Sequence, residues 1–235
     1  MRRSMIRTHP IFVALVWGWI LSSPAHAQLK PEQQTGSIIP AKPAALAAKE
    51  VAEVRKRFAQ CVYARARPKA QALLASSDIA TVDMQASGIQ DIQRELDMEE
   101  CLGDQFRLDD MAMALTLGPD VLRDLLAEEF YLARNKSAPS LASNATPLEF
   151  KPAASNRNPQ TALALMTFSD CTVRRDVAGV DALLRTAPRT PQERQAAAAL
   201  APALGSCLVA GQQLVLKPAN IRALMAYAMW ARFGR

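Results

Sequence analysis

Apolar residues along this chain recur at intervals of three and four, the spacing of one face of an α-helix. Val51, Val54, Phe58, Cys61 and Val62 make the first such face. It predicts a helix from about Ala48 to Arg67, ended by Pro68. A short helix around Lys69 to Ala75 carries Leu73 and Leu74. Ser87-Gly88-Ile89-Gln90 has capping-box form and predicts a helix to about Leu102. Pro119, suited to the first helical position, predicts another to about Arg134. Leu122, Leu125, Leu126, Phe130 and Ala133 are its expected buried stripe. Residues 135–159 are dense in Ser, Asn, Pro and Ala and read as a linker. Asn158-Pro159 starts a further helix, and Thr190-Pro191-Gln192-Glu193 caps one that ends near Cys207. The pattern predicts an all-α fold. Only Leu115-Thr116-Leu117 and Leu214-Val215-Leu216 alternate with period two, which leaves a minor two-stranded pairing open.

The second half repeats the first. Phe168-x-x-Cys171 copies Phe58-x-x-Cys61, and Arg175 follows its cysteine by four residues as Arg65 does. Ala182-Leu183-Leu184 matches Ala72-Leu73-Leu74, and Cys207-Leu208 matches Cys101-Leu102. Leu214-Val215-Leu216-Lys217-Pro218 matches Leu115-Thr116-Leu117-Gly118-Pro119. Ile221-Arg222 then matches Leu122-Arg123. Aligning the copies needs two gaps, both between pattern elements, where loops tolerate changes of length. The expected organisation is two tandem helical modules of about four helices each, residues 48–134 and 160–235, joined by the linker.

The N-terminus alters the chemistry that can be expected. Arg2, Arg3 and Arg7 precede an apolar run from Ile11 to Leu21. Pro24 and an Ala25-His26-Ala27 cleavage site follow. This is the anatomy of a signal peptide, residues 1–27. The apolar run makes roughly 16 Å of helix, too short to span a bilayer core. Residues 28–47 read as a flexible leader. The signal holds three arginines and no acid, so cleavage would lower the net charge from +6 to +3. It also holds both histidines, His9 and His26. A mature chain would therefore lack the usual general base and the commonest metal ligand. Ser-His-Asp and Cys-His catalysis and imidazole metal sites are excluded, whereas carboxylate-only and Ser-Lys chemistry stay open. No cofactor, metal site or catalytic residue is indicated.

Four cysteines in an exported chain imply disulfides. Four thiols allow three connectivities, and the duplication selects the one internal to each module: Cys61–Cys101 and Cys171–Cys207. Without a C-x-x-C motif or histidine, a redox or zinc role fits poorly.

Four arginines recur in register. Arg65 and Arg175 lie on the helical face of their module's Phe and Cys, so each could clamp an anion or simply meet the last carbonyls of its helix. The second reading is favoured. Arg123 and Arg222 lie early in their helices, where the dipole gives no help. They could be ligand-binding or structural, pairing with acids such as Glu99, Glu100 or Asp104. The six basic residues between Val54 and Lys69 are spread around their helix rather than forming a stripe, which argues against nucleic acid. The pairs Glu99-Glu100, Asp109-Asp110 and Glu128-Glu129 lack EF-hand spacing, and adjacent residues point to different helix faces.

F-x-x-C, A-L-L, a T-P-x-E helix ending at Cys-Leu, L-x-L-x-P and I-R-x-L-x-A together resemble a group of uncharacterised exported bacterial proteins. These often carry the module twice, and the similarity covers Val51 to Arg232. The first copy departs from the pattern in lacking T-P-x-E and in an insertion after Cys101. The resemblance implies a periplasmic setting and no activity, cofactor or catalytic residue. The expectation is a non-enzymatic envelope protein binding a protein or small ligand through helical surfaces, with no transmembrane span after cleavage. A carboxylate-dependent envelope enzyme and a polyanion-binding accessory protein are the alternatives.

Overall fold

A computed structural model describes residues 47–105, 117–142, 144–209 and 216–234. The signal, most of the leader, Asp109-Asp110 and most of both period-two segments lie outside the described residues. Among the described residues the fold is all-helical, with no strand and no helix long and apolar enough to cross a membrane.

The helices are α1 (Ala48–Arg65), α2 (Arg67–Ser76), α3 (Ile92–Glu95), α4 (Met98–Gln105) and α5 (Pro119–Arg134), then α6 (Pro159–Arg175), α7 (Val177–Arg185), α8 (Pro191–Ala199), α9 (Ala201–Cys207) and α10 (Pro218–Phe233). The proline-initiated helices start where the sequence places them, because a missing N–H costs nothing in the first turn. Four boundaries differ from expectation. Pro68 does not simply end the first helix: the chain breaks at Ala66, and Pro68 then occupies the first turn of α2. The capping box at Ser87 does not form. Asp91 is the cap instead, accepting from the Gln93 and Arg94 N–H groups, while Glu95 accepts from those of Gln90 and Asp91. The helix expected to run on to Leu102 is divided at Asp97, whose φ of +49° is left-handed. The Thr190 cap does form, with its hydroxyl accepting from the Glu193 N–H, but Leu200 divides that helix just before Pro202.

α5 and α10 pack against each other most extensively and form the centre of the molecule. α5 rests on α1 and α2, and α10 on α6 and α7. Disulfides join α1 to α4 (Cys61–Cys101) and α6 to α9 (Cys171–Cys207), with Cα atoms 5.6 and 5.8 Å apart. One continuous core runs through both halves, from Phe58, Leu73 and Leu74 through Leu122, Leu126 and Tyr131 to Leu183, Met225 and Trp230. Each central helix also sends a tyrosine to the other half. The Tyr131 hydroxyl donates to Asp181 at 2.6 Å, and that of Tyr227 to the Ser77 carbonyl at 2.8 Å.

The segment between α5 and α6 is tied to this core. Asp78 accepts from the Ala153 N–H and the Asn156 amide, and Asp83 from the Ser155 N–H. Asp170 accepts from the Leu148 N–H and from Arg232, whose guanidinium also reaches the Thr146 carbonyl. Buried acids thus satisfy backbone donors that a helix-free segment cannot satisfy itself.

Candidate functional site

The recurring arginines separate by environment. Arg65 is exposed by 43% near the end of α1, with Nε 3.7 Å from Asp97. Arg175 is exposed in the last turn of α6. Neither lines the clefts described below, and an exposed pair such as Arg65–Asp97 is worth little. An Arg65→Ala variant should therefore change folding stability by less than about 1 kcal/mol in urea titration.

Arg123 and Arg222 are buried. Arg222 caps α7, Arg123 reaches a carbonyl just beyond α2, and each also meets the other central helix. Arg222 donates to the Leu183, Leu184 and Thr186 carbonyls at the C-terminus of α7, at 3.2, 2.8 and 3.0 Å. Its other face forms a two-point pair with Glu128 of α5, with Nε and Nη2 both at 2.7 Å from the carboxylate oxygens. Glu193 accepts from it at 3.3 Å, and Lys56 reaches Glu128 at 2.8 Å. Arg123 donates to the Asp78 carbonyl just beyond α2 at 2.9 Å and to Asp124, and its guanidinium lies 5.8 Å from the Tyr227 ring centroid. Glu128 and Tyr227 occupy matching places in α5 and α10, five residues beyond the arginines. One arginine therefore meets a carboxylate across the centre and the other an aromatic face. For Arg123 the sequence suggested Glu99, Glu100 or Asp104 as a partner, of which the Asp104 side chain lies outside the described residues. The contacts described for the two arginines are to Glu128, Glu193, Asp124 and backbone carbonyls instead.

Above this ion cluster lies a cleft of ≈ 320 Å³ between α1, α5, the start of α10 and the turn before α8. Asp120 and Asp124 of α5 line it, one helical turn apart, with Arg55 and Lys56 of α1, Asn220 of α10 and Arg189. Val121, Leu125 and Pro188 add apolar wall. Arg189 is exposed and has a φ of +61°. That left-handed conformation costs about 1 kcal/mol for a side-chain-bearing residue. It is held by the Arg189 N–H donating to Glu193 at 2.8 Å. Burial pushes the Asp124 carboxyl up to about 6 against the pull of Arg123, and the charge of Asp120 adds to the rise. Asp124 is thus a weak acid that exchanges a proton near neutral pH.

Glu128 and Glu129 diverge although adjacent. Burial works to raise Glu128, but Arg222 and Lys56 outweigh it and hold that carboxyl below the usual range. Glu129 is pushed up to about 7, by burial first and then by the charge of Glu128. A buried acid whose pKa is raised on folding binds its proton more tightly in the native state. It therefore subtracts stability as pH climbs from its unfolded value near 4.5 to about 7. Glu129→Gln should remove that slope. Its advantage over the parent should grow by on the order of 2–3 kcal/mol across the window, read from urea midpoints at successive pH values.

Asp124 was given no role from sequence, Glu128-Glu129 was weighed only as an acidic pair and set aside, and Glu193 was expected only in the Thr190 capping box. A signal was present for Glu129, which falls seven residues after Leu122 and three after Leu126, on the apolar stripe. An acid there must find a partner or a proton. Among the described residues, no group of three or more His, Cys, Asp or Glu side chains is placed to hold a metal ion. Comparisons of the chain with protein-family models, with curated protein sequences and with solved structures find no match.

Proposed function

We propose that this is an exported, non-enzymatic binding protein of the cell envelope that takes a small polar ligand in the cleft between its two halves. The observation that carries this reading is the cleft's wall. Asp120 and Asp124 stand in the same ≈ 320 Å³ space as Arg55 and Arg189, over a floor whose charges already satisfy one another. A ligand with a cationic and an anionic group, as in an amino acid, matches such a wall. The space is at the lower end of the range for small-molecule sites. Arg189 is presented there at the cost of a strained backbone, and such strain is concentrated at functional positions.

Two features support export: the segment with signal-peptide anatomy and the two disulfides. A periplasmic setting fits both. The like-built halves, with matching disulfides and matching arginines in α5 and α10, favour an origin by duplication of one module, residues 48–134 and 160–235.

The test is calorimetric titration of the mature chain with amino acids, small diamines and small dicarboxylates. Saturable binding of an amino acid, weakened at least about tenfold in Asp124→Ala and Arg189→Ala with helicity intact, is expected. If none of the three classes binds with a Kd below about 1 mM, the reading fails. One observation favours a second reading, a carboxylate-dependent enzyme: Asp124 keeps a proton near pH 6 beside Asp120, as a general acid beside a carboxylate would. Turnover of any substrate, lost in Asp124→Asn, would replace the first reading with this one.

A further inference from the structure

On the other side of Lys56 lies a second, shallower depression, distinct from the cleft. Lys56, Gln60 and Tyr63 of α1 line it, with Glu129 of α5, Lys136 and Arg185. Its inner wall contains an anomaly. Glu129 is only 8% exposed, and its Oε1 is buried with no hydrogen-bond partner among the described residues. A buried oxygen left unpaired in this way is costly, and each such group in a native structure calls for an explanation.

The surroundings indicate what would satisfy it. Donors line the depression: the Lys56 and Lys136 ammonium groups, the Arg185 guanidinium and the Tyr63 hydroxyl, while the Gln60 amide already bears on the Glu129 carboxyl. The charges facing Glu129 are Lys56 from α1, Glu128 from its own helix, Arg222 from α10, and Arg185 and Lys136 at the rim. Glu128 is matched by Arg222 and Lys56, and Arg185 is paired with Asp181. With Glu129 neutral, the depression has a surplus of positive charge, and the Glu129 hydroxyl becomes one more donor at its base. With Glu129 ionised, an unpaired negative oxygen stands in the same place.

We propose that this depression binds a small oxyanion, a carboxylate or a phosphate, held by Lys136, Lys56 and the protonated Glu129, and releases it when Glu129 loses its proton. The site is independent of the ligand proposed for the cleft. Its occupancy follows pH because the same side chain is a donor in one state and a repelling charge in the other. The raised pKa of Glu129 places the change near neutral pH.

The experiment is titration of the mature protein with acetate and, separately, with inorganic phosphate, followed by backbone amide NMR at about pH 6 and pH 8.5. Saturable shifts centred on Gln60, Leu132 and Lys136 are expected at the lower pH, with affinity at least about tenfold weaker at the higher. The arm with the tighter binding identifies carboxylate or phosphate as the preferred group. In Glu129→Gln the amide stays a donor at every pH, so binding should persist at pH 8.5. Lys136→Met should weaken binding at both. The proposal is overturned by an absence of saturable shifts at pH 6, by binding in the parent that ignores pH, or by pH dependence that survives in Glu129→Gln. Shifts centred instead on Val121 and Asn220 would place the anion in the cleft, and would overturn it too.

Discussion

Arg222→Met is expected to lower the folding stability by about 3–5 kcal/mol, measured from urea unfolding followed by circular dichroism. The guanidinium is buried and donates to Glu128, to Glu193, to two carbonyls of α7 and to the carbonyl and hydroxyl of its C-cap Thr186. Removing it leaves Glu128 buried with Lys56 as its remaining described partner and uncaps α7. Most of the cost is the stranded carboxylate, since taking a charge out of water is tolerated only while a partner stands beside it. The double variant Arg222→Met/Glu128→Met should therefore recover part of the loss, because it strands no charge at that pair. A single-variant cost no larger than that of the exposed Arg65→Ala would show that the α5–α10 centre does not depend on this pair.

Replacing Cys61 and Cys101 together by alanine should cost about 4 kcal/mol, and so should replacing Cys171 and Cys207. Each bond closes a loop of similar length, with separations of 40 and 36 residues. The entropy returned to the unfolded chain is therefore nearly the same. Both bonds also tie a long helix to a short one that has little of its own to hold it. α4 and α9 span only Met98–Gln105 and Ala201–Cys207, and such short helices are marginal without tertiary support. Reduction should first loosen α4 and α9, seen as faster amide exchange there than in α5 or α10. If the two double variants differed by more than about 2 kcal/mol, loop entropy would not be the governing effect.

Where the fold was legible, the reason was local. A 3.6-residue period, a proline in a first turn and a Thr-x-x-Glu cap act over one or two turns, so α1, α5, α6 and α10 could be placed from sequence. The errors have the same origin. Ser87 and Asp91 both offer a side chain able to cap, and what decides between them is which frame lets Glu95 reach back to the Gln90 and Asp91 N–H groups. The segment 135–159 has the composition of a flexible linker. Its composition does not reveal that Asp78, Asp83 and Asp170 accept from its donors, because those acids lie about 20 to 80 residues away in the chain.

The opening pattern of apolar and polar positions determined that this chain would be helical. The matched spacing of its cysteines indicated which pairs would bond, and the recurrence of Arg123 and Arg222 singled them out. Those are properties of neighbours and of register, which a sequence carries directly. Only the tertiary structure decided what the arginines do. Arg222 is 94 residues from Glu128, and although Glu129 falls on the apolar stripe, nothing local says which of the two acids gains a guanidinium. Packing α5 against α10 takes both acids out of water, sets one beside a guanidinium and leaves the other with its carboxyl pushed up. A carboxylate's chemistry follows from the charges and solvent around it, and those are assembled only when distant helices meet.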